Sequence, residues 1–201
     1  MHFYPQIVNN LFTPEEQKLL RETIDSKSAT SSWNDKERSR GVRKYSELDE
    51  YFGKIVEAKA KEIFSEPELK STYSVYFDYD KPTSKLHPHR DNNACTFTID
   101  YCVSAKTPWG VVVEDEEFVF EPGQALAFMG GHDAHWRNDM PDPETNRVEV
   151  VMFHFCLPDH WYFTEGPDYV YVLEEAGVLR DFDSYDLSPR LRKNIKTTDL
   201  I

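Results

Sequence analysis

Near residue 70 the pattern of this chain changes, and the change limits the folds open to it. From Ser71 onward, short runs of β-branched and aromatic residues are separated by Pro, Gly, Asn and Asp, as is typical of strands joined by turns. Many short strands preceded by helices predict a mainly β fold, a sandwich or double-sheet barrel with flanking helices. The predicted strands cover residues 72–79, 94–103, 110–113, 117–120, 125–129 and 147–156.

Helices are predicted on both sides of this β region. The Thr-Pro-Glu-Glu sequence at residues 13–16 supplies an N-cap, a proline at the first helical position and a glutamate at the third, which is a capping box. A second helix is predicted from about Ser46 to the break at residues 65–67. The polar and basic residues 26–45 are predicted to be an exposed connection. In the tail, one short helix is predicted over residues 173–179.

The length of 201 residues predicts one domain with short appendages. We divide it into a helical support over residues 1–70, a β core over 71–157 and a C-terminal extension over 158–201. The formal net charge of −13 argues against nucleic acid as a partner, because this field repels phosphates and no Lys/Arg stripe opposes it. The sequence leaves the oligomeric state open.

Composition also bears on location. A mean hydropathy of −0.65 and charges throughout leave no apolar run long enough to span a membrane. The first residues do not have the pattern of a secretory signal. The odd number of cysteines, without a C-x-x-C spacing, predicts buried thiols at Cys95, Cys102 and Cys156. A cytoplasmic location is therefore expected.

Candidate metal ligands occur in the His-Arg-Asp sequence at residues 89–91. In extended backbone, residues i and i+2 share a face, so the side chains of His89 and Asp91 are expected to point to the same side. A second histidine from a later strand would complete a set of two histidines and one carboxylate. That set leaves three positions open on ferrous iron for a co-substrate and O₂.

Several histidines compete for the remaining position. We prefer His135 to His132, because the His-Trp-Arg sequence stands closer to the turn. His87 is expected near the site or in solvent, although His87 and His89 also form a His-x-His pair of the kind found in cupins. His154 is predicted to lie on the outer face of its strand.

An arginine opens the last predicted strand. Arg147 begins a nearly continuous apolar run, so it either lies at an exposed edge or is buried against an anion, and burial is the expectation. A planar guanidinium binds a carboxylate through two parallel hydrogen bonds. A bound dicarboxylate would supply that anion.

The order of these elements resembles the 2-oxoglutarate- and Fe(II)-dependent dioxygenases, and most of all their prolyl-hydroxylase-like branch. The resemblance covers about residues 72–157, and its specificity comes from order and spacing together. The interval before the arginine is somewhat long for the pattern. The elements are His89-x-Asp91, then Phe-x-Pro-Gly-x-x-Leu-x-Phe from Phe120 to Phe128, then His135, then Arg147.

The resemblance implies a double-stranded β-helix, the jelly roll also found in cupins, supported by N-terminal α-helices. It implies iron held by His89, Asp91 and His135, with 2-oxoglutarate on the metal and its far carboxylate paired to Arg147. The implied activity is hydroxylation of an unactivated C–H bond with O₂, releasing succinate and CO₂. Desaturation or cyclisation would use the same ligands.

Further pocket residues follow from the resemblance and from strand alternation. Tyr101 looks like the phenol that shares the co-substrate carboxylate, and alternation places it on the apolar face taken to be inward. Tyr79 resembles a further pocket tyrosine. Glu149 shares a face with Arg147, so either Glu149 or Asp78 is a candidate partner for a cationic substrate group. The alternative is that Glu149 pairs with a neighbouring basic side chain.

The expected substrate is an amino acid, a small metabolite or a peptidyl residue. Arg90 and Arg137 are expected to add positive charge near the co-substrate, and Trp109 and Trp136 are candidates for the mouth of the site. The acidity of the chain favours a neutral or cationic substrate. Two other functions stay open: a cupin-like metal-binding protein without turnover, and a zinc hydrolase with an activated water.

Overall fold

The computed structural model describes residues 3–167, which form eleven β-strands and three α-helices. The helix predicted over residues 173–179 lies outside the described residues, as does most of the predicted extension. No helix among residues 3–167 has the length and apolar character needed to cross a membrane. The strands are β1 (Gln6–Val8), β2 (Ser31–Asp35), β3 (Arg40–Lys44), β4 (Lys70–Tyr79), β5 (Leu86–His89), β6 (Phe97–Ala105), β7 (Val111–Val113), β8 (Glu116–Phe118), β9 (Ala125–Phe128), β10 (His135–Arg137) and β11 (Val148–Cys156); the helices are α1 (Pro14–Ser26), α2 (Gly53–Ile63) and α3 (Trp161–Thr164).

The strands form two sheets in which every neighbouring pair is antiparallel. The seven-stranded sheet has the order β1-β9-β6-β11-β4-β3-β2, and the four-stranded sheet has the order β5-β10-β7-β8. From β4 to β11 the chain passes repeatedly between the two sheets. This arrangement is a double-stranded β-helix, or jelly roll, and it confirms the predicted fold class.

The N-terminal helices support one face of the large sheet. The predicted capping box is present: Thr13 Oγ1 accepts from the amide of Glu16 at 3.2 Å, and Glu16 Oε2 accepts from the amide of Thr13 at 2.8 Å. The second predicted helix begins as a π-helical turn over Leu48–Phe52 and continues as α2. Leu20 of α1 and this turn are buried in one apolar cluster with Phe153 of β11.

Apolar side chains cover both faces of the large sheet. Tyr101 and Val151 pack towards the helices, whereas Cys102 and Val150 pack towards the small sheet. Successive residues of a strand point to opposite faces. The even-numbered residues of β11, and those of β6 up to Cys102, therefore face the interior of the barrel, and the odd-numbered residues face the helices. Beyond Cys102 a register shift places Ser104 on the helix side, where it donates a hydrogen bond to Glu149.

The prediction of an exposed connection over residues 26–45 is wrong. Strands β2 and β3 form a hairpin there, and β3 continues the large sheet by pairing with β4. Trp33 and Val42 lie opposite each other in this hairpin. The predicted helical support over residues 1–70 thus also contains three strands.

The three cysteines have the predicted state. Cys95, Cys102 and Cys156 are free thiols and all are buried.

Candidate metal centre

His89, Asp91 and His135 meet at one end of the barrel. Strand β5 ends at His89, β10 begins at His135, and these two residues are partners across the two strands. Nε2 of His89 lies 3.5 Å from Oδ1 of Asp91, and Nε2 of His135 lies 3.6 Å from the same oxygen. The structure thus brings the three predicted ligands into one cluster, with their donor atoms all within 4.8 Å of one another.

Backbone carbonyl groups orient both imidazoles. Nδ1 of His89 lies 2.8 Å from the carbonyl oxygen of His87, and Nδ1 of His135 lies 3.0 Å from that of Asp133. A carbonyl oxygen only accepts, so each Nδ1 carries the proton and donates it. Each Nε2 keeps its lone pair on the side of Asp91, as in metal-binding histidines.

The spacing of the donor atoms suits a single ion. With bonds of about 2.1 Å, one divalent ion bridges donors up to about 4.2 Å apart. The separations of 3.5 and 3.6 Å from Asp91 Oδ1 to the two imidazoles fall within this reach. Two imidazoles and one carboxylate occupy one side of such an ion, which is the donor set of non-haem iron oxygenases.

A glycine leaves room for the carboxylate. The amide of Asp91 donates to the carbonyl oxygen of Gly130 at 2.9 Å. A Cβ at Gly130 would stand 2.5 Å from Asp91 Oδ2 and 2.4 Å from Thr98 Oγ1. Both separations are shorter than van der Waals contact, so a larger residue at Gly130 would displace the carboxylate.

The ionisable groups of the cluster shift one another's pKa values. Burial opposes ionisation of Asp91, but His135 and His89 hold the pKa of its carboxyl group well below the usual range. Burial, reinforced by the neighbouring His135, lowers the pKa of His89. Burial opposes protonation of His135, but the carboxylate of Asp91 raises the pKa of this imidazole above its usual value. Metals bind the charged carboxylate and the neutral imidazole, so a metal ion would displace a proton from His135 when that residue is charged.

The competing histidines lie elsewhere. His132 is exposed in the turn before β10 and is in neither of the two donor clusters found among the described residues. His87 supplies its backbone carbonyl to His89. The structure therefore groups His135, rather than His132, with His89.

His154 faces the interior, so its predicted position on an outer face is wrong. It lines the same cavity as the metal cluster, and its Nδ1 lies 3.3 Å from Thr98 Oγ1. Burial lowers the pKa of His154 to about 4. With Asp91 and Cys95 it forms a second set of three potential donors beside the first.

Arg147 lies on the opposite face of the large sheet, and its predicted burial against a dicarboxylate is wrong. Its side chain is 54% exposed and forms two parallel hydrogen bonds with Asp78, at 2.8 and 2.7 Å. Glu149 is a further neighbour, at 3.6 Å. The protein's own carboxylates thus take the place of the expected ligand.

The two predicted pocket tyrosines lie on opposite faces of the large sheet. Tyr101 faces the helices, with its ring edge-on to Phe12 at 4.9 Å, so its predicted inward position is wrong. Tyr79 is fully buried on the interior face. Its hydroxyl accepts a hydrogen bond from Nη1 of Arg40 at 2.5 Å.

Glu149 and Asp78 also face the helices, away from the metal cluster. Glu149 accepts hydrogen bonds from Tyr76 and Ser104 and forms an ion pair with Arg21 at 2.9 Å. The alternative that Glu149 pairs with a neighbouring basic side chain is therefore confirmed. Neither carboxylate lines the cavity of the metal cluster, so the idea that they receive a cationic substrate there is wrong.

Arg137 lies in the interior and has unused donors. It follows His135 by two residues on β10 and is 5% exposed. Its guanidinium lies 4.9 Å from the ring centre of Trp109 and donates from Nη1 to the carbonyl oxygen of Trp109. Nε and Nη2 are buried without a hydrogen-bond partner among the described residues. Such buried donors indicate a missing ligand or water.

Asp100 lines the cavity beside the metal cluster and is also incompletely paired. It is buried, and its Oδ1 has no hydrogen-bond partner within the described part of the chain. Burial raises the pKa of Asp100 to about 7, although the charge of Arg137 opposes this shift. Asp100 was not predicted as a site residue, because the even-numbered face of β6 was expected to point outward.

A cavity of about 400 Å³ contains the metal cluster. Arg90, between the two ligands of the His-Arg-Asp sequence, lines it, as predicted for a residue near the site. Trp136 does not line it, because its neighbours His135 and Arg137 occupy the inward face of β10. The hairpin of β2 and β3 supplies one wall, which the sequence analysis missed entirely.

Solved structures share this fold at low sequence identity. An oxidoreductase of the 2OG-Fe(II) oxygenase family from Burkholderia pseudomallei has a TM-score of 0.59 and 10% identity over 75% of this chain and 84% of its own. HygX from Streptomyces hygroscopicus, solved with nickel, 2-oxoglutarate and hygromycin B, has a TM-score of 0.59 and 10% identity over 77% and 83%.

A third similar structure is SnoN, described as a non-heme alpha ketoglutarate dependent epimerase from nogalamycin biosynthesis. Its TM-score is 0.56, with 9% identity over 76% of this chain and 77% of its own. No family model matches the sequence, and no curated protein matches it. The likeness to these structures shows that the chain shares their double-stranded β-helix fold.

Proposed function

We propose that this protein is a 2-oxoglutarate- and Fe(II)-dependent oxygenase that hydroxylates an unactivated C–H bond of a small molecule. The observation that carries the proposal is the cluster of His89, Asp91 and His135 in the cavity of a double-stranded β-helix. The names of two structural neighbours state iron or nickel with 2-oxoglutarate, which supports these cofactors here.

Iron and 2-oxoglutarate bound in this cavity supply the oxidation, in which O₂, 2-oxoglutarate and a C–H bond give succinate, CO₂ and an alcohol. Nε2 of His89 and of His135 would hold the metal, and Asp91 Oδ1 would offset one of its charges. The carbonyl groups that fix Nδ1 keep both imidazoles in the required tautomer.

Arg137 is the residue that we assign to the far carboxylate of 2-oxoglutarate. Arg137 follows His135 by two residues on the inward side of β10, about 7 Å along the strand. It does not itself line the cavity, but Asp100, which lines it, is close enough for the charge of Arg137 to influence its carboxyl group. The buried Nε and Nη2 of Arg137 have no other partner among the described residues. Asp100, with a pKa of about 7, donates a further hydrogen bond when it is protonated.

Arg40 is the other buried arginine near this cavity, but its donors are already engaged. Its Nε lies 3.0 Å from Oδ2 of Asp35, and its Nη1 donates to the hydroxyl of Tyr79. Its guanidinium is also stacked 3.8 Å from the ring centre of Phe77. It is therefore the weaker candidate for the co-substrate.

Anaerobic spectroscopy tests this proposal. We expect that Fe(II) and 2-oxoglutarate, added together to the protein without O₂, produce a weak visible charge-transfer band, because the keto acid chelates iron through its open positions. Fe(II) with succinate is the control, since it lacks the keto group. The absence of the band at saturating concentrations would contradict the proposed function.

The same titration separates the alternatives. A cupin-like binding protein would take up metal and show no band, and a zinc hydrolase would retain zinc and be indifferent to 2-oxoglutarate. Assignment to the prolyl-hydroxylase-like branch and the cytoplasmic location stay predictions. A peptidyl residue remains the other substrate class.

A further inference from the structure

We propose that the primary substrate is a small molecule with an oxyanion group, bound by Arg90 and Lys44, and an apolar body that packs against Trp33. The oxyanion is a carboxylate, sulfate or phosphate. This inference rests on the proposed function, because it concerns the part of the same cavity that the co-substrate leaves open.

The cavity rim is basic although the chain is acidic. The formal net charge of the chain is −13, yet four basic side chains line this cavity. Of the acidic residues that line it, Asp91 and Asp100 belong to the floor, and Asp35 alone lies in the hairpin. A cavity with this local charge attracts anions and holds them through complementary contacts. The basic residues are Arg38, Arg40, Lys44 and Arg90.

Two of these cations are already neutralised. Nε of Arg40 lies 3.0 Å from Oδ2 of Asp35, and Nη1 of Arg38 lies 3.6 Å from the same oxygen. Arg38 also approaches Glu37 at 3.7 Å. Asp35, the acidic residue that the hairpin contributes to the cavity, is therefore already paired with these two arginines.

Arg90 and Lys44 have no such partner. Neither side chain has a carboxylate oxygen within 4.0 Å among residues 3–167, and Nε of Arg90 is buried without a hydrogen bond. The ammonium of Lys44 lies 5.4 Å from the ring centre of Tyr73. The buried Nε of Arg90 is costly to leave unpaired, and Lys44 adds a second cation without an ion pair, so an anion in the cavity would gain most from these two residues.

The rest of the cavity sets the size and polarity of the substrate. Trp33 lines it and is 47% exposed, so an apolar surface is presented beside the unpaired cations. The volume of about 400 Å³ lies at the lower end of the range for small-molecule sites. Because 2-oxoglutarate also has to fit, a compact acid with an apolar body is the best match. This replaces the sequence-based expectation of a neutral or cationic substrate.

Three probes of similar size and shape test the charge preference. Phenylacetate, phenylacetamide and phenethylamine are titrated into the protein loaded with Zn(II) and saturating 2-oxoglutarate, and their dissociation constants are measured by ligand-observed NMR. We expect phenylacetate to bind about tenfold or more tightly than phenylacetamide, from one charge-assisted hydrogen-bonded pair. Phenethylamine is expected to bind most weakly.

Substitutions then locate the contact. Arg90→Gln and Lys44→Gln are each expected to weaken phenylacetate binding towards the level of phenylacetamide. Lys36→Gln is the matched control, because Lys36 is an exposed lysine in the turn of the same hairpin and does not line the cavity. Equal binding of the three probes, or phenylacetate binding that survives both substitutions, would overturn the inference.

The affinity for 2-oxoglutarate is measured first in each variant. If Arg90→Gln weakens 2-oxoglutarate binding and leaves phenylacetate unaffected, Arg90 serves the co-substrate and the inference is wrong. If wild-type protein with metal does not bind 2-oxoglutarate, the proposed function fails instead. The probe series with Zn(II) alone still reports whether the cavity prefers anions.

Discussion

Replacing Arg137 by glutamine is expected to weaken 2-oxoglutarate binding by about 100-fold. The guanidinium lies in the barrel interior with two unpaired donors, where a carboxylate would be desolvated and bound through two parallel hydrogen bonds. Losing one partner of a buried ion pair costs about 3–5 kcal/mol, which corresponds to at least two orders of magnitude in affinity. The measurement is anaerobic titration of the Fe(II) protein with 2-oxoglutarate.

Arg147→Gln is the matched control, because it makes the same chemical change at an arginine on the opposite face of the sheet. Its guanidinium is bound to Asp78, so we expect the affinity for 2-oxoglutarate to change less than twofold. Arg137→Lys keeps the charge and is expected to recover part of the lost affinity. Metal affinity and melting temperature are recorded for each variant, so that misfolding is recognised. A large effect from Arg147→Gln, with none from Arg137→Gln, would contradict the assignment.

Replacing His135 by alanine is expected to reduce Fe(II) affinity by more than about 100-fold. Loss of a partner that only orients a ligand already costs 10–100-fold, and here a ligand itself is removed. His135 Nε2 lies 3.6 Å from Asp91 Oδ1, and its removal leaves His89 as the one imidazole in this donor set. Affinity is measured by anaerobic calorimetry.

His132→Ala is the control for this experiment, since His132 lies three residues earlier and is exposed. It is expected to leave Fe(II) affinity unchanged. If instead His132→Ala abolished metal binding and His135→Ala did not, the ligand set would be wrong.

The fold class and the metal cluster were predictable because their signals are local. The alternation of His89 and Asp91 requires only extended backbone, and the Pro-Gly turn that precedes His135 is evident from residue types. Strands β1 and β10 were missed, because three residues without flanking β-branched residues show little pattern.

The inward face of the large sheet was not predictable from hydrophobicity. Because helices cover its outer face, Tyr101 and Val151 are as buried as Cys102 and Val150. A sheet that is buried on both faces has no polar side. The sequence then shows that side chains alternate between the two faces, but it does not show which face points to the interior. The apolar face was taken as the interior, and Arg147 was placed in it. The polar residues that mark the interior, Asp100 above all, indicated the opposite phase.

The hairpin over residues 26–45 was missed for another reason. Its strands lie at the edge of the sheet and carry charged residues that serve the cavity, so their composition is that of a loop. Arg40 and Lys44 bind across space to residues more than 25 positions away, such as Tyr79 and Tyr73. Such tertiary contacts are not visible in a local pattern.

A crystal structure of the protein with Fe(II) and 2-oxoglutarate, prepared without O₂, tests the central claim most directly. We predict one iron bound by Nε2 of His89, Nε2 of His135 and Oδ1 of Asp91, with the keto acid on the metal and its far carboxylate on Arg137. Iron bound elsewhere, or 2-oxoglutarate held by Arg147 on the outer face of the sheet, would contradict it.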